Sequence, residues 1–216
     1  MPRRLRWRLQ NNRSLINVGS YDYTVPKRLV VFCCERIMAI RDIVLFPDDV
    51  LTQKCDPVDE VDDSIRQLVD DMVETMYDAP GVGLAAPQIG VPLRITVIDP
   101  TAGEEEDNLY VLINPEIVEV DGRITWEEGC LSIPGVYEKI NRAAQVKVRA
   151  LDRDGNPYEL EAEELLSVCI QHEIDHLDGV LFLDRMSRLK RRIAVKKYKK
   201  HLAKLKKAQE KEEEGS

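Results

Sequence analysis

His172-Glu173-Ile174-Asp175-His176 constrains this chain more than any other segment. Histidines at positions i and i+4 share one face of a helix, so both imidazoles can reach a single ion only if the segment is helical. Glu173 sits beside the first ring, where it can serve as a general base toward water at that ion. The helix is expected to begin at Glu163 or Glu164 and run through His176, with Gly179 placed to end it.

Two histidines leave a ligand set incomplete, and the identity of the third ligand separates the possible sites. The run His172 to Phe182 fits H-E-x-x-H-x-x-G-x-x as far as Gly179, then carries Phe182 where a metzincin has histidine. A thermolysin-like site takes a glutamate from a following helix, and the first one downstream is Glu210, in the tail. Cysteine remains. Cys130 lies in Glu128-Gly129-Cys130-Leu131-Ser132, a loop between expected strands, and a thiolate is an excellent ligand for a divalent transition metal. Cys169, three residues before His172, is expected to pack beneath the site in the core. Cys33, Cys34 and Cys55 have no companion ligands, and five scattered cysteines form no disulfide framework, which points to a reducing cytoplasm.

The rest of the chain supplies the frame for that helix. Asp63 and Ser64 can cap a helix whose Ile65, Leu68, Val69, Met72 and Met76 follow helical spacing, and Ala79-Pro80-Gly81 stops it. Leu93 to Ile98 and Leu109 to Ile113 read as strands joined by the polar connection Pro100 to Asn108. Gln145 to Leu151 alternates Val146, Val148 and Ala150 with polar neighbours, and Asp154-Gly155 turns it back through Tyr158 to Glu161. A basic helix spans roughly Ser187 to Gln209, with Leu189, Ile193, Leu202 and Leu205 as a sparse apolar stripe. Strands between helices without regular β–α alternation predict an α+β fold, with mixed or antiparallel sheets packed around a central metal-binding helix and a basic helix at the C-terminus.

Composition sets the outer limits. At 216 residues and 44% apolar content the chain can bury a real core, which excludes global disorder. No apolar run approaches the roughly 18 residues of a membrane span, so no membrane partner is expected. Charge is segregated. Residues 1–37 carry eight Lys/Arg against two acids, residues 38–184 carry 10 basic against 33 acidic groups, and residues 185–207 carry 12 basic groups and no acid. An acidic body with one dense basic segment is no general nucleic-acid binder, although the segment itself can meet phosphate.

Gly81-Val82-Gly83-Leu84-Ala85-Ala86-Pro87-Gln88 is a second cluster. No Lys-Ser/Thr follows, so it is not a P-loop. It reads either as a tight helix-to-strand connection or as a place where backbone approaches a ligand, with Gln88 offering an amide to a developing oxyanion.

Taken together, Gly81–Gln88, Glu128–Ser132 and Gln171–Leu177 resemble the G-x-G-L-A-A-x-Q, E-G-C-L-S and Q-H-E-x-D-H-L motifs of the peptide deformylase family, in the family's order. The resemblance runs roughly from Met38 to Arg185 and includes Phe46-Pro47-Asp48 and the hairpin Ala150 to Gly155. It implies a metallohydrolase that removes the formyl group from the N-terminal formylmethionine of nascent polypeptides. It implies that Cys130, His172 and His176 hold one divalent ion, usually Fe(II), with Zn(II), Ni(II) or Co(II) able to substitute. Glu173 would be the base and Gln88 with the Leu131 backbone N–H the oxyanion donors. Gly83 would position the peptide as an added strand, and Val82 and Ile170 would line the methionine pocket. Two other readings are an HExxH protease cutting ordinary peptide bonds, which lacks its third His or Glu, and a silent ribosome-associated binding protein, which would have no use for Glu173 and Gln88.

The expected organisation is a non-family extension over 1–37, a catalytic domain over 38–185, and a basic helix with an acidic tail over 186–216. The composition shift favours Met38 as the natural start, with a transit segment as the alternative, since such segments are also basic and acid-poor. By resemblance to the bacterial type, residues 186–207 are expected to dock on the ribosome surface near the exit tunnel, which would place the protein in the cytoplasm.

Overall fold

A computed structural model of the chain describes residues 39–105 and 108–214, so the expectations for residues 1–37 lie outside the described residues. Helix α1 spans Asp63–Asp78. Its N-cap is Asp62, one residue earlier than the sequence suggests, and the Asp62 carboxylate accepts from the Ile65 N–H at 2.9 Å and from the Ser64 hydroxyl at 2.6 Å. Val69, Met72 and Met76 fall on one face and are buried, as their spacing requires.

Five antiparallel strands follow one sheet in the order β1-β2-β3-β6-β7: β1 Gly83–Ala85, β2 Ile95–Ile98, β3 Tyr110–Asp121, β6 Gln145–Leu151 and β7 Pro157–Glu163. Strands β4 Ile124–Glu128 and β5 Glu138–Arg142 pair separately as a hairpin, and the Cys130 loop joins them. Helix α2 spans Glu164–Leu177 and α3 spans Arg188–Glu214.

The sheet is covered on both faces near β2. Ile95, Val97 and Ile113 pack with Val69, Met72 and Met76 of α1. Ile98 and Leu112, with Val146 and Val148, pack against Cys169, Ile170 and Ile174 of α2. Every residue of β2 is therefore buried, which explains its lack of alternation, whereas Val146, Val148 and Ala150 of β6 alternate as expected. Strand β3 runs far beyond Ile113, because the Asn114-Pro115 break is absorbed by a shift in register. Asn114 has φ 52°, and its side-chain amide exchanges two 2.8 Å hydrogen bonds with the backbone of Val58. That local pairing lets a non-glycine residue hold a left-handed backbone inside a strand.

A third cluster joins Ile133, Val136 and Ile140 to Phe182, Leu183, Ala194 and Tyr198. Here the expected apolar stripe of α3 is corrected. Leu189, Ile193 and Leu205 are exposed, and the buried face runs through Ala194 and Tyr198 in a four-residue step, with Leu202 half-buried beyond them. Small Ala194 permits close approach, and the Tyr198 hydroxyl donates to the Phe46 carbonyl at 2.6 Å. The first half of the basic helix is thus part of the core. Among the described residues, no helix is long and apolar enough to cross a membrane.

Gly179 ends α2 with φ 72°, and a Cβ there would lie 2.6 Å from the Thr52 carbonyl oxygen and 2.9 Å from that of Gln53. Gly90 has a similar φ of 80°, but its Cβ would meet nothing nearer than 3.8 Å. Gly90→Ala should therefore lose only the left-handed backbone term, roughly 1–2 kcal/mol. Gly179→Ala should lose a further ~1–3 kcal/mol, because backbone rather than a side-chain tip must move. Urea unfolding of both variants checks this, and equal losses would mean the Thr52–Gln53 segment yields freely.

Candidate active site

Helix α2 turns its His172 and His176 face inward, and both rings are more than nine-tenths buried. The Cys130 loop approaches from β4 and tightens on itself through the Ile133 N–H, which donates to the Cys130 carbonyl at 2.9 Å. Sγ of Cys130 lies 3.2 Å from His176 Nε2. The ligand atoms of Cys130, His172 and His176 all lie within 4.8 Å of one another. Tetrahedral bonds of about 2.0–2.3 Å put neighbouring donors about 3.5 Å apart, so one thiol and two imidazoles at this separation fit a single transition-metal ion.

A buried ionic chain fixes the first ring. Nδ1 of His172 donates to Glu128 Oε2 at 2.8 Å, which leaves Nε2 as the nitrogen free to bind. Glu128 is in turn gripped at both oxygens by Arg142, at 2.7 and 2.9 Å. The third guanidinium nitrogen of Arg142 reaches Asp175 at 2.5 Å, and Arg185 closes on the same carboxylate. Burial acts to raise the Glu128 pKa, but hydrogen bonds from Arg142 and His172 outweigh it and hold the carboxyl at about 2. Glu128 is therefore an anion, and His172 Nδ1 carries the proton.

Glu173 takes no part in the hydrogen bonds of this ionic chain. Burial raises its pKa to about 7, and its Oε2 is buried with no hydrogen-bond partner. Gly83 of β1 makes room for it: a Cβ on Gly83 would sit 2.5 Å from Glu173 Oε1. An orphaned carboxylate oxygen beside three converging donors suits a proton acceptor whose partner is a small molecule, water above all.

Gln88 is 1% exposed. Its Oε1 accepts from the Ala85 N–H at 2.7 Å, which fixes the amide orientation, and Nε2 then faces Cys130 Sγ at 3.5 Å and Ser132 Oγ at 3.3 Å. Leu131 follows the cysteine and packs on Gly81. Gly83, Gln88, Cys130, Leu131, His172 and Glu173 line one cleft of about 390 Å³, whose apolar walls include Val82, Trp126, Tyr137, Leu165 and Val168. Ile170, expected at the cleft, instead faces the sheet and is fully buried there. Cys169 borders the cleft and the core together, burial pushes its thiol up to about 12, and its sulfur is not among the converging donors. The residues that sequence reasoning missed are Arg142 and Arg185, and Glu128 and Asp175 were present only as motif letters. The one available signal was a lone arginine closing an otherwise ordinary strand.

The sequence model of the polypeptide deformylase family matches residues 40–192. The chain is 56% identical over 162 residues to the peptide deformylase of Hydrogenovibrio crunogenus, covering 75% of this chain and 95% of that one. It is 55% identical over 164 residues to that of Mesorhizobium japonicum, covering 76% and 93%. Among solved structures it is similar to a peptide deformylase from Legionella pneumophila, with TM-score 0.73 and 51% identity over 76% of this chain and 96% of that one. It is also similar to one from Synechococcus elongatus solved in complex with actinonin, with TM-score 0.70 and 45% identity over 73% and 86%.

The ionic chain generates a test that needs no assay of turnover. Glu128→Ala removes the acceptor that orients His172, and the affinity for a bound divalent ion should fall roughly 10–100-fold. Competition with a chelator measures it, and an unchanged affinity would show that His172 is held by packing alone.

Proposed function

We infer the working of this site from one premise: the chain belongs to the polypeptide deformylase family, and is an enzyme that hydrolyses the formyl group from the N-terminal formylmethionine of nascent polypeptides. The observation that carries the assignment of roles is Glu173, a buried carboxylate with an orphaned oxygen beside the Cys130, His172 and His176 donors. We assign the ion to those three residues and leave Glu173 outside the set.

The family implies a catalytic metal, and a donor set of one thiolate and two imidazoles suits late first-row divalent ions. We assign Fe(II), with Zn(II), Ni(II) or Co(II) able to take its place. Such an ion, when bound, supplies positive charge that lowers the pKa of water toward neutrality. Glu173 accepts the proton that water gives up as it attacks the formyl carbon. The tetrahedral oxygen that results is negative, and the Gln88 amide and the Leu131 N–H are the donors set to receive it. Each well-placed donor contributes roughly 3–4 kcal/mol to the transition state. Glu173 then returns its proton to the departing amine, and the acid proton of the formic acid so formed passes to that amine or to solvent, so formate and a protonated N-terminus leave with charge conserved. Gly83 lies on β1, at one edge of the sheet, where an extended peptide can add as a further strand. The methionine side chain enters the apolar cleft beside Val82.

Glu173→Gln keeps the shape and loses the proton acceptor. It should retain stoichiometric metal while turnover of a formylated Met-Ala-Ser peptide falls at least a thousandfold. Cys130→Ala should lose the metal itself. Wild-type rates in Glu173→Gln would remove the assigned base, and activity on unformylated peptides would favour a protease.

We place the catalytic unit at residues 38–185, in the cytoplasm, with residues 1–37 outside it. The basic helix beyond it we assign to docking on the ribosome near the exit tunnel. Arg192, Lys196, Lys199 and Lys200 are exposed, whereas Lys197 pairs with Glu138 and Arg191 with Asp184. Dense like charge along a free helix is unfavourable by a few tenths of a kcal/mol per i,i+4 pair, and an anionic RNA surface relieves it. Because Ala194 and Tyr198 belong to the core, substitution tests this better than truncation. Changing the four exposed cations to Gln should leave short-peptide turnover within twofold and weaken ribosome binding at least tenfold at low salt. Wild-type binding should fall steeply with added salt. Equal affinity for both proteins in a sedimentation assay would end the docking role.

A further inference from the structure

The chain from Ala39 to Phe46 enters no sheet, yet it touches both halves of the oxyanion site. The Val44 N–H donates to the Gln88 carbonyl at 2.7 Å, and the Phe46 N–H donates to the Ser132 carbonyl at 2.9 Å. Alternate residues of an extended chain present their N–H groups to the same side, so one strap spans two separate elements. Gln88 lies in the short turn after β1, and Ser132 in the loop that carries Cys130 and Leu131. Apart from the strap, the hydrogen bonds between these two elements among the described residues are the long ones from Gln88 Nε2 to Ser132 Oγ and Cys130 Sγ.

The strap is anchored at both ends on buried groups. Asp71 of α1 is 1% exposed and takes the Ala39 N–H at 2.9 Å and the Arg41 guanidinium at 2.9 and 2.6 Å. The buried Thr75 hydroxyl accepts from the Arg41 N–H at 2.9 Å. At the far end the Phe46 carbonyl accepts from Tyr198 of α3. Val44 and Phe46 themselves pack against the cluster containing Ile133 and Val136, while Leu45 faces out.

We propose that the segment Arg41–Phe46 is a positioning strap, which sets the spacing of the Gln88 amide from the Leu131 N–H by clamping the backbone of both elements that carry them. The proposal rests on the reading of those two groups as the oxyanion donors. A donor is useful in the transition state only within hydrogen-bond distance of the developing charge, so a slack strap weakens transition-state binding more than ground-state binding. No residue of the strap lines the cleft. Its effect belongs in kcat, with KM and metal content preserved.

Val44→Pro deletes the N–H that donates to Gln88, and Val44→Ala keeps it. Metal-loaded Val44→Pro should lose at least tenfold in kcat with KM within twofold and full metal content, and Val44→Ala should recover most of that loss. Arg41→Ala removes the anchor from a half-exposed side chain and decides the matter if Val44→Pro does not fold. It should lower kcat at least threefold, with Arg41→Lys restoring part, and should speed amide hydrogen exchange at Val44 and Phe46 but not in α2. Wild-type kcat in the folded variants, or losses that merely track lost metal or folded fraction, would overturn the strap. Wild-type kcat in Gln88→Ala would overturn the oxyanion reading and the strap with it. A Gln88→Ala loss beside normal turnover in Val44→Pro overturns the strap alone.

Discussion

Arg142 is the charge on which the site's arrangement depends. Its side chain is 2% exposed, and it bridges Glu128 on β4 to Asp175 on α2. A buried guanidinium is expensive to desolvate, and two carboxylates with well-aligned hydrogen bonds offset that only when all of them are in place. Loss of either partner would leave an uncompensated buried charge, a penalty of roughly 3–5 kcal/mol. The pair therefore locks the β4–β5 hairpin to α2 at one relative position. That position carries Cys130, two residues after Glu128, to the histidine face, while Glu128 turns His172 so that Nε2 looks into the cleft. A hydrophobic bridge of the same volume would hold the elements together but would orient neither ring nor loop.

Close backbone approach is the second requirement, and glycine meets it where apolar packing cannot. At Gly83 the space a Cβ would fill is taken by the Glu173 carboxylate, so Glu173 and the edge strand β1 lie against each other. At Gly129 the Tyr137 ring occupies that space, 2.6 Å from where a Cβ would stand, and pins the residue before Cys130. At Gly135 the His201 ring does the same from α3, and φ there is 77°. Each contact brings a functional group nearer to a backbone than any other residue would permit.

How much of this was legible in the sequence follows from the range of the interactions. Periodicity is local, so α1, α2 and the β6–β7 hairpin could be read directly, as could the i,i+4 ligand pair. The long course of β3 could not, because the Asn114-Pro115 break is repaired by a partner at Val58, far away in the chain. The buried face of α3 was misassigned for a related reason. Leucine spacing pointed to Leu189 and Ile193, but the core had already supplied bulk, and what fitted it was a small Ala194 with a tyrosine whose hydroxyl finds a carbonyl. Cys130 was found by elimination of other ligands. Arg142 was not found, because a single arginine in a strand has no pattern until its two carboxylates are seen around it.

The distribution of charge ties the catalytic site to the basic helix. The site is built from anions that are buried and individually compensated: Glu128 by Arg142, Asp175 by Arg142 and Arg185. Glu173 is the exception: its Oε2 is buried with no hydrogen-bond partner. Exposed positive charge is concentrated on α3, whose inner face supports the same loop that holds Cys130, through Tyr198, Ala194 and His201. A surface that attracts anions thus lies outside the cleft while its helix backs the cleft wall. Among the described residues, no lysine or arginine lines the cleft, which gives polyanions drawn to the helix nothing to bind there. Attraction and chemistry are thus separated, with a largely apolar-walled, acidic cleft on one side and a strongly cationic helix face on the other.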